Sequence, residues 1–278
     1  MNIYFNLVIT LLSCFYVKSQ NFKIYYNLEF TKDTISKNIE KRSMVLWIEK
    51  NNYTFCSQEI LDKDSIKDNS IDHSPALFDE DIEFMVAKKD NIINKFFLVD
   101  QILYTINENF TNLNWQIKNQ TKNIDNIECQ LATLNYKGRN WEAWFSTKYP
   151  ITIGPYIFNG LPGAIIELNN TKNNYHFKLT RIENTGKSIN KAVFQGGQES
   201  YPKPIVITKK QLEKISLSHY SSPFKRMKDK GILYMIDEKT GEKQPPPDFD
   251  KMAKSAQKYI RENNNPIELS EAVTYPKN

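Results

Sequence analysis

Between Gln20 and Phe30 apolar and polar residues alternate, with Phe22, Ile24, Tyr26, Leu28 and Phe30 on one side and Lys23, Asn27 and Glu29 on the other. That two-residue period is the mark of a half-buried strand. Shorter runs of the same kind predict strands over Met44–Glu49, Tyr53–Cys56, Ile82–Ala87, Lys95–Val99, Ile102–Glu108, Asn114–Ile117 and Glu128–Asn135. Turn residues such as Asp90-Asn91 separate most of them, and the spacing is that of an antiparallel meander. The stretch Ser57–Phe78 is rich in Asp, Ser, Lys and Asn and contains Pro75, so it reads as a loop.

The densest signals lie between Gly138 and Leu168. Trp141–Thr147 reads as a strand with Trp141, Ala143 and Phe145 on one face and Trp144 on the other, so both faces call for cover. Pro150 and Gly154-Pro155 then interrupt regular pairing, because proline supplies no ladder N–H. Leu161-Pro162-Gly163-Ala164 suits a type II turn: Pro162 presets φ at the first central position and Gly163 tolerates a positive φ at the second, with Gly160 a further permissive position. Ala164–Leu168 and Tyr175–Ile182 follow as a hairpin across a polar loop, with Tyr175, Phe177 and Leu179 on the apolar side. The corner has two readings. Gly160 to Gly163 satisfy a demanding backbone geometry, or Pro155, Tyr156, Phe158 and Leu161, with Trp144 nearby, form an apolar lip that binds a ligand or partner.

After Gly197 the period changes to that of helices. Thr208 and Gln211 form a potential capping box for a helix carrying Leu212, Ile215 and Leu217. Ser222-Pro223 suits an N-cap followed by proline at the first helical position, with Gly231 as terminator. Pro245-Pro246-Pro247 reads as a stiff linker, and Asp248 as the cap of a last helix whose Phe249, Met252, Ala253, Ala256 and Ile260 share an apolar face expected to pack on the sheet. The predicted fold is mostly β: one large, strongly curved antiparallel sheet or half-barrel in residues 20–278, with two or three helices of a C-terminal extension, 201–278, packed on it.

Several of these residues carry a resemblance to a known family. Gly138-Arg139, Ala143-Trp144-Phe145, Tyr149-Pro150-Ile151, Gly154-Pro155-Tyr156 with Phe158, Gly160 to Gly163 followed by Ala164-Ile165, and Asn265-Pro266-Ile267-Glu268-Leu269 occur in an order that resembles the GLPGLI proteins of Bacteroidetes. Ala164 stands where that family usually has Leu. The resemblance implies an exported cell-envelope protein of a family whose biochemical role is not settled.

The start of the chain adds to that expectation. An apolar run from Leu7 to Val17 ending in Val17-Lys18-Ser19 fits a secretory leader over residues 1–19, cleaved before Gln20. Leu11-Leu12-Ser13-Cys14 offers the alternative of a lipidated Cys14. No later run reaches the length of a membrane span. In an oxidising compartment Cys56 and Cys129 could pair, which would stabilise by about 4 kcal/mol in the chain-entropy model; the alternative is two separately buried thiols.

Charge and chemistry narrow the function classes. Lys and Arg exceed Asp and Glu by 37 to 32 with the signs interspersed, so no basic stripe for nucleic acid stands out. His73, His176 and His219 form no metal-ligand spacing with one another, no cofactor motif is present, and no nucleophile elbow, phosphate loop or dinucleotide turn is found. Glu142 and Glu167 are strand carboxylates beside tryptophans, readable as an acid or base; the alternative for Glu142 is a solvated edge residue or a partner of Arg139. The leading expectation is a non-catalytic binding or carrier module of the periplasm or outer envelope for a peptide, lipid or envelope partner. An accessory subunit of an outer-membrane transporter and an exported metal- or carboxylate-dependent hydrolase are the alternatives.

Overall fold

A computed structural model describes residues 21–33, 38–67, 82–185, 203–231, 235–237, 239–245 and 247–277. The expected leader, with Cys14, and His73 lie outside the described residues. The alternating segment forms β1, Asn21–Phe30, with Ile24, Tyr26, Leu28 and Phe30 buried. It continues into a meander of β2, Glu40–Glu49, β3, Asn52–Ser57, β4, Val86–Lys89, β5, Ile92–Val99, and β6, Ile102–Asn109. A second meander follows: β7, Gln116–Ile124, β8, Ile127–Tyr136, β9, Arg139–Ser146, β10, Ala164–Asn170, and β11, Tyr175–Thr185. The tight hairpins Asp125-Asn126 and Lys137-Gly138 have positive φ at both central positions, the twist that suits right-handed strands.

The two meanders join where β1 pairs antiparallel with β11, giving the strand order β6-β5-β4-β3-β2-β1-β11-β10-β9-β8-β7. A two-residue strand β12, Ile205–Val206, adds to the outer edge of β6 in parallel, so the sheet has twelve strands and is mixed at that edge alone. β6 and β7 thus lie at opposite ends of the antiparallel order, yet only residues 110–115 connect them. Ten strand spacings laid flat would measure about 48 Å, whereas that connection reaches about 25 Å fully extended. The sheet must therefore roll. Phe55 on β3 and Phe177 on β11 confirm it: three spacings apart, about 14 Å if flat, their ring centroids are 6.2 Å apart.

Inside the roll sits a single core that draws on both meanders, with Trp141, Phe145, Phe158, Tyr175 and Phe177 among its largest members. On the outer side a smaller cluster of Cys56, Ile60, Ile82, Met85, Phe96 and Leu103 is capped by helix α1, Gln58–Lys67. That helix corrects the loop expected from Ser57 onward. Its mean composition is polar, but Ile60 buries against Cys56 and so gives the turn a reason to form.

The C-terminal extension carries α2, Lys209–Ser221, α3, Lys225–Asp229, and α4, Phe249–Glu262, with a small hairpin of β13, Met235–Ile236, and β14, Lys243–Gln244, between the last two. The Thr208–Gln211 capping box is present, and Asp248 caps α4 by accepting from Asp250 N and Lys251 N. The cap of α3 differs from expectation: Phe224 occupies it without a side-chain hydrogen bond, while Gly231 beyond its end has φ +64°. Placement of α4 also differs. Its apolar face, Met252 apart, packs on α2 and the cap of α3, with Gln257 donating to Tyr220 O and Phe249 against Phe224 at 6.1 Å, and none of its residues is buried.

Candidate functional site

Two segments fill the mouth of the roll, the corner 151–163 between β9 and β10 and the tail 265–271. At Gly163 a Cβ would lie 2.1 Å from Ser146 O and 2.8 Å from Thr147 N, so glycine is required because two backbones touch. Positive φ, the reason expected at Gly163, occurs instead at Gly160, where φ is +94° and Leu113 O would stand 3.1 Å from a Cβ. Gly154 is likewise pressed, against Ile165 and Phe158 O. Asn159 completes the corner: its side chain donates to Thr111 O, and its carbonyl accepts from Trp115 Nε1 at 2.8 Å. These bonds fasten the corner to the connection 110–115 that spans the two ends of the sheet.

This arrangement disposes of the lip. Tyr156, Phe158 and Leu161 are buried at 6 %, 1 % and 1 % exposure, and Phe158 touches the rings of Trp115, Tyr136, Trp141 and Tyr156. Pro155 is buried as well, and only Gly160 and Pro162 of the corner's motif residues reach solvent. The large apolar side chains cover the core, because a rolled sheet needs a plug. Trp144 lies half-buried outside it, with Lys122 Nζ 4.4 Å from its ring centroid.

The tail is held by Arg139, which is 4 % exposed. Its guanidinium donates from Nε to Ile267 O at 3.0 Å, and from one terminal nitrogen to Asn265 Oδ1 at 2.6 Å and Pro266 O at 2.7 Å. The other terminal nitrogen donates to Asn174 Oδ1, and Tyr175 Oη donates to Asn265 O at 2.6 Å. Asn265 in turn donates to Thr31 O, so the tail, β9, β11 and the end of β1 share one buried polar layer. Arg139 grips two main-chain carbonyls and two asparagine side-chain oxygens, and its planar fork suits that geometry where a lysine would not. Burial holds its pKa below the usual arginine value without threatening its charge.

A second buried cluster adjoins it. Lys95 Nζ, 3 % exposed, lies 2.5 and 2.8 Å from the two oxygens of Glu268 and 2.8 Å from Glu108. Tyr156 Oη donates to Glu268 at 3.1 Å from a residue with φ +55°. Lys209 bridges Glu108 and Glu271 at 2.6 and 2.5 Å, and Lys137 also pairs with Glu271. Burial pushes the Glu268 carboxyl up despite Lys95. Burial acts on Glu271 too, but hydrogen bonds from Lys137 and Lys209 prevail and hold it at about 2. The arrangement can fix the tail: Lys95 and Glu268 are buried, while Glu108, Glu271, Lys137 and Lys209 are partly exposed around them.

The remaining candidates are dispersed. Cys56 and Cys129 are both buried, in β3 and β8 with five strands between them in the order of the sheet. Glu167 pairs with Lys122 at 2.9 Å. Glu142 sits half-buried between Thr133 and Asn169 on neighbouring strands, and Arg139, its expected partner, is committed to the tail. Among the described residues no group of three His, Cys, Asp or Glu side chains is placed to hold a metal. Two clefts on the outside are open: one of about 350 Å³ mixes Glu29, Asn169 and His176 with Phe30 and Ile39, and another of about 560 Å³ is mainly polar, with Glu40, Arg42, Gln58 and Asp62.

Arg139 and Lys95 were missed as site residues from sequence. Gly138-Arg139 and Asn265–Leu269 were noticed only as separate parts of a resemblance; their meeting across 126 residues has no local signal.

No family model matches the chain, and no curated protein does. Two solved structures of PNGF-II, in C2 and P21 crystal forms, are similar over 71 % of this chain at 12 % identity, with TM-scores of 0.49 and 0.48. The alignment spans about a third of their length, 32 % and 33 %.

Proposed function

We propose that this protein is an exported, non-catalytic binding module of the cell envelope whose partner is a peptide or another envelope protein. One observation carries the choice of partner over an enclosed lipid. The interior of the roll is filled by its own aromatic side chains and by residues 265–268, of which Asn265, Ile267 and Glu268 are 4 %, 7 % and 6 % exposed. A carrier for an acyl chain needs an apolar cavity there, whereas the open clefts outside the roll, one of mixed and one of mainly polar lining, suit a polypeptide that brings both side chains and hydrogen-bonding groups. Export is supported by the apolar run Leu7–Val17, and the GLPGLI resemblance by the meeting of Arg139 with Asn265–Ile267.

Native mass spectrometry of the protein purified from its own envelope fraction tests this reading. The expected result is added mass from a polypeptide partner and a mature chain that starts near Gln20. A stoichiometric retained lipid, or a chain recovered in the cytoplasmic fraction with its leader intact, would overturn it.

A further inference from the structure

The excess of positive charge is not spread along the chain. Residues 203–277 contain 15 Lys and Arg against 10 Asp and Glu, so this extension carries the whole excess of 37 over 32. Within it α4 shows two faces. Phe249, Ala253, Ala256, Gln257 and Ile260 lie toward α2, while Lys251, Met252, Lys254, Lys258 and Tyr259 are exposed on the opposite side. Met252 and Tyr259 are 38 % and 58 % exposed, and Met227 on α3 is 46 % exposed. Each acid of α4 and its cap has a partner: Asp248 accepts from Asp250 N and Lys251 N, Asp250 pairs with Lys228 at 2.7 Å, and Glu262 pairs with Lys258 at 3.9 Å. Neither Lys251 nor Lys254 forms an ion pair among the described residues.

We infer that this outer face of α4 docks on an anionic bilayer surface. Long lysine stems flanking an exposed methionine and tyrosine suit the boundary between headgroups and acyl chains, where the stems and rings bury and the ammonium groups stay with the phosphates. The fit is electrostatic and parallel to the helix axis, and it needs no rearrangement, because the inner face of α4 is already held by α2. Among the described residues no helix is long and apolar enough to cross a membrane, so the contact is peripheral. The inference rests on the envelope reading only for the presence of a bilayer, and it concerns a different face from the clefts proposed for the polypeptide partner.

Co-sedimentation of the purified mature chain with vesicles tests it independently of that reading. Binding is expected to vesicles containing phosphatidylglycerol, to weaken with salt, and to be far weaker for pure phosphatidylcholine. The triple variant Lys251→Gln, Lys254→Gln, Lys258→Gln should lose affinity on the order of a hundredfold, from about fivefold per lysine near the surface, with unchanged circular dichroism. Met252→Ser with Tyr259→Ser should weaken binding while leaving its salt dependence in place. No binding to the anionic vesicles at low salt, or equal binding by the triple variant, would overturn the inference. So would absent vesicle binding combined with loss of a retained protein partner from the triple variant, since that result assigns the face to a protein.

Discussion

The mouth of the roll and the helical arm are fastened by opposite means. At the mouth, Arg139 and Lys95 reach tail residues 128 and 173 positions away and are buried with them. In the arm, α2 and α4 are set by caps within three residues of their own starts, and α4 buries nothing. Removing one partner of a buried polar contact leaves the other desolvated and unpaired, which costs far more than the contact contributes on balance. Removing a surface cap returns a few groups to water. Equivalent-looking substitutions should therefore have unequal and differently distributed consequences in the two regions.

The largest effect belongs to Gly163→Ala. A methyl group 2.1 Å from Ser146 O cannot be accommodated by a side-chain rotation, because its neighbours are backbone of β9. Destabilisation of at least about 4 kcal/mol is expected, read as a shifted midpoint in urea or as loss of folded protein. By contrast Gly231→Ala, at φ +64° but with nothing within 4 Å of the new methyl, should cost only about 1 kcal/mol of local strain. Equal losses would mean that the backbone at Gly163 yields to the methyl group, so that close approach does not govern that position.

Next comes Arg139→Met, which strips donors from Asn265 Oδ1, Asn174 Oδ1 and two carbonyls at once. Its cost should be about 3–5 kcal/mol. Arg139→Lys should recover only part of that, since one ammonium cannot span the same acceptors. Hydrogen exchange should show the tail opening with the sheet rather than before it.

What could be read from sequence divides along the same line. Strands such as β1, β5, β6 and β8 are legible because alternation is local, and Thr208 and Asp248 announce their helices for the same reason, whereas the strand expected over Ile82–Ala87 begins only at Val86 and the one expected over Asn114–Ile117 runs instead over Gln116–Ile124. The curvature of the sheet was expected, but its cause, a connection of residues 110–115 between opposite ends, appears only once the strand order is known. Gly163 was chosen for the right position and the wrong reason: a type II turn is a local idea, whereas contact with Ser146 is not. Tyr156, Phe158 and Leu161 looked like a lip because nothing near them in sequence could cover them; their cover comes from 113–115, 136 and 141. Helix α1 was taken for loop because its polar composition outweighed Ile60, whose partners lie in other elements.

The two carboxylates of the tail sharpen the contrast through pH. Glu271, held at about 2, contributes stability that is present above its unfolded value near 4.5 and is lost as pH falls toward 2. Glu268, raised by burial, binds its proton more readily when folded, so its contribution rises as pH falls through the window just above the unfolded value. Glu271→Gln should therefore flatten the acid loss of stability, and Glu268→Gln should remove the opposing slope. Lys95→Met should cost about 3 kcal/mol at neutral pH and less as pH falls, because burial raises Glu268 and a carboxyl that takes up its proton no longer needs the ammonium. Urea midpoints at three pH values decide it; a pH-independent loss would show that Lys95 acts through packing alone.

The smallest effect should be in the arm. Thr208→Ala removes an oxygen that accepts from Gln211 N at 3.2 Å, and Asp248→Ala one that accepts from Asp250 N and Lys251 N at 3.1 and 3.0 Å. Each helix should lose about 1 kcal/mol, seen as faster amide exchange in α2 or α4. The global urea midpoint should move by less than that, because the core inside the roll draws on none of these residues. The variants differ in one respect. Lys209, the first residue of α2, is also the bridge between Glu108 and Glu271, so fraying at Thr208 loosens a cation that holds the tail, while fraying at Asp248 loosens nothing in the roll. Thr208→Ala should accordingly raise exchange at Glu271 and Ala272 as well as in α2, and Asp248→Ala should leave those two amides unchanged. If both variants leave them unchanged, the arm and the mouth are energetically separate despite the bridge.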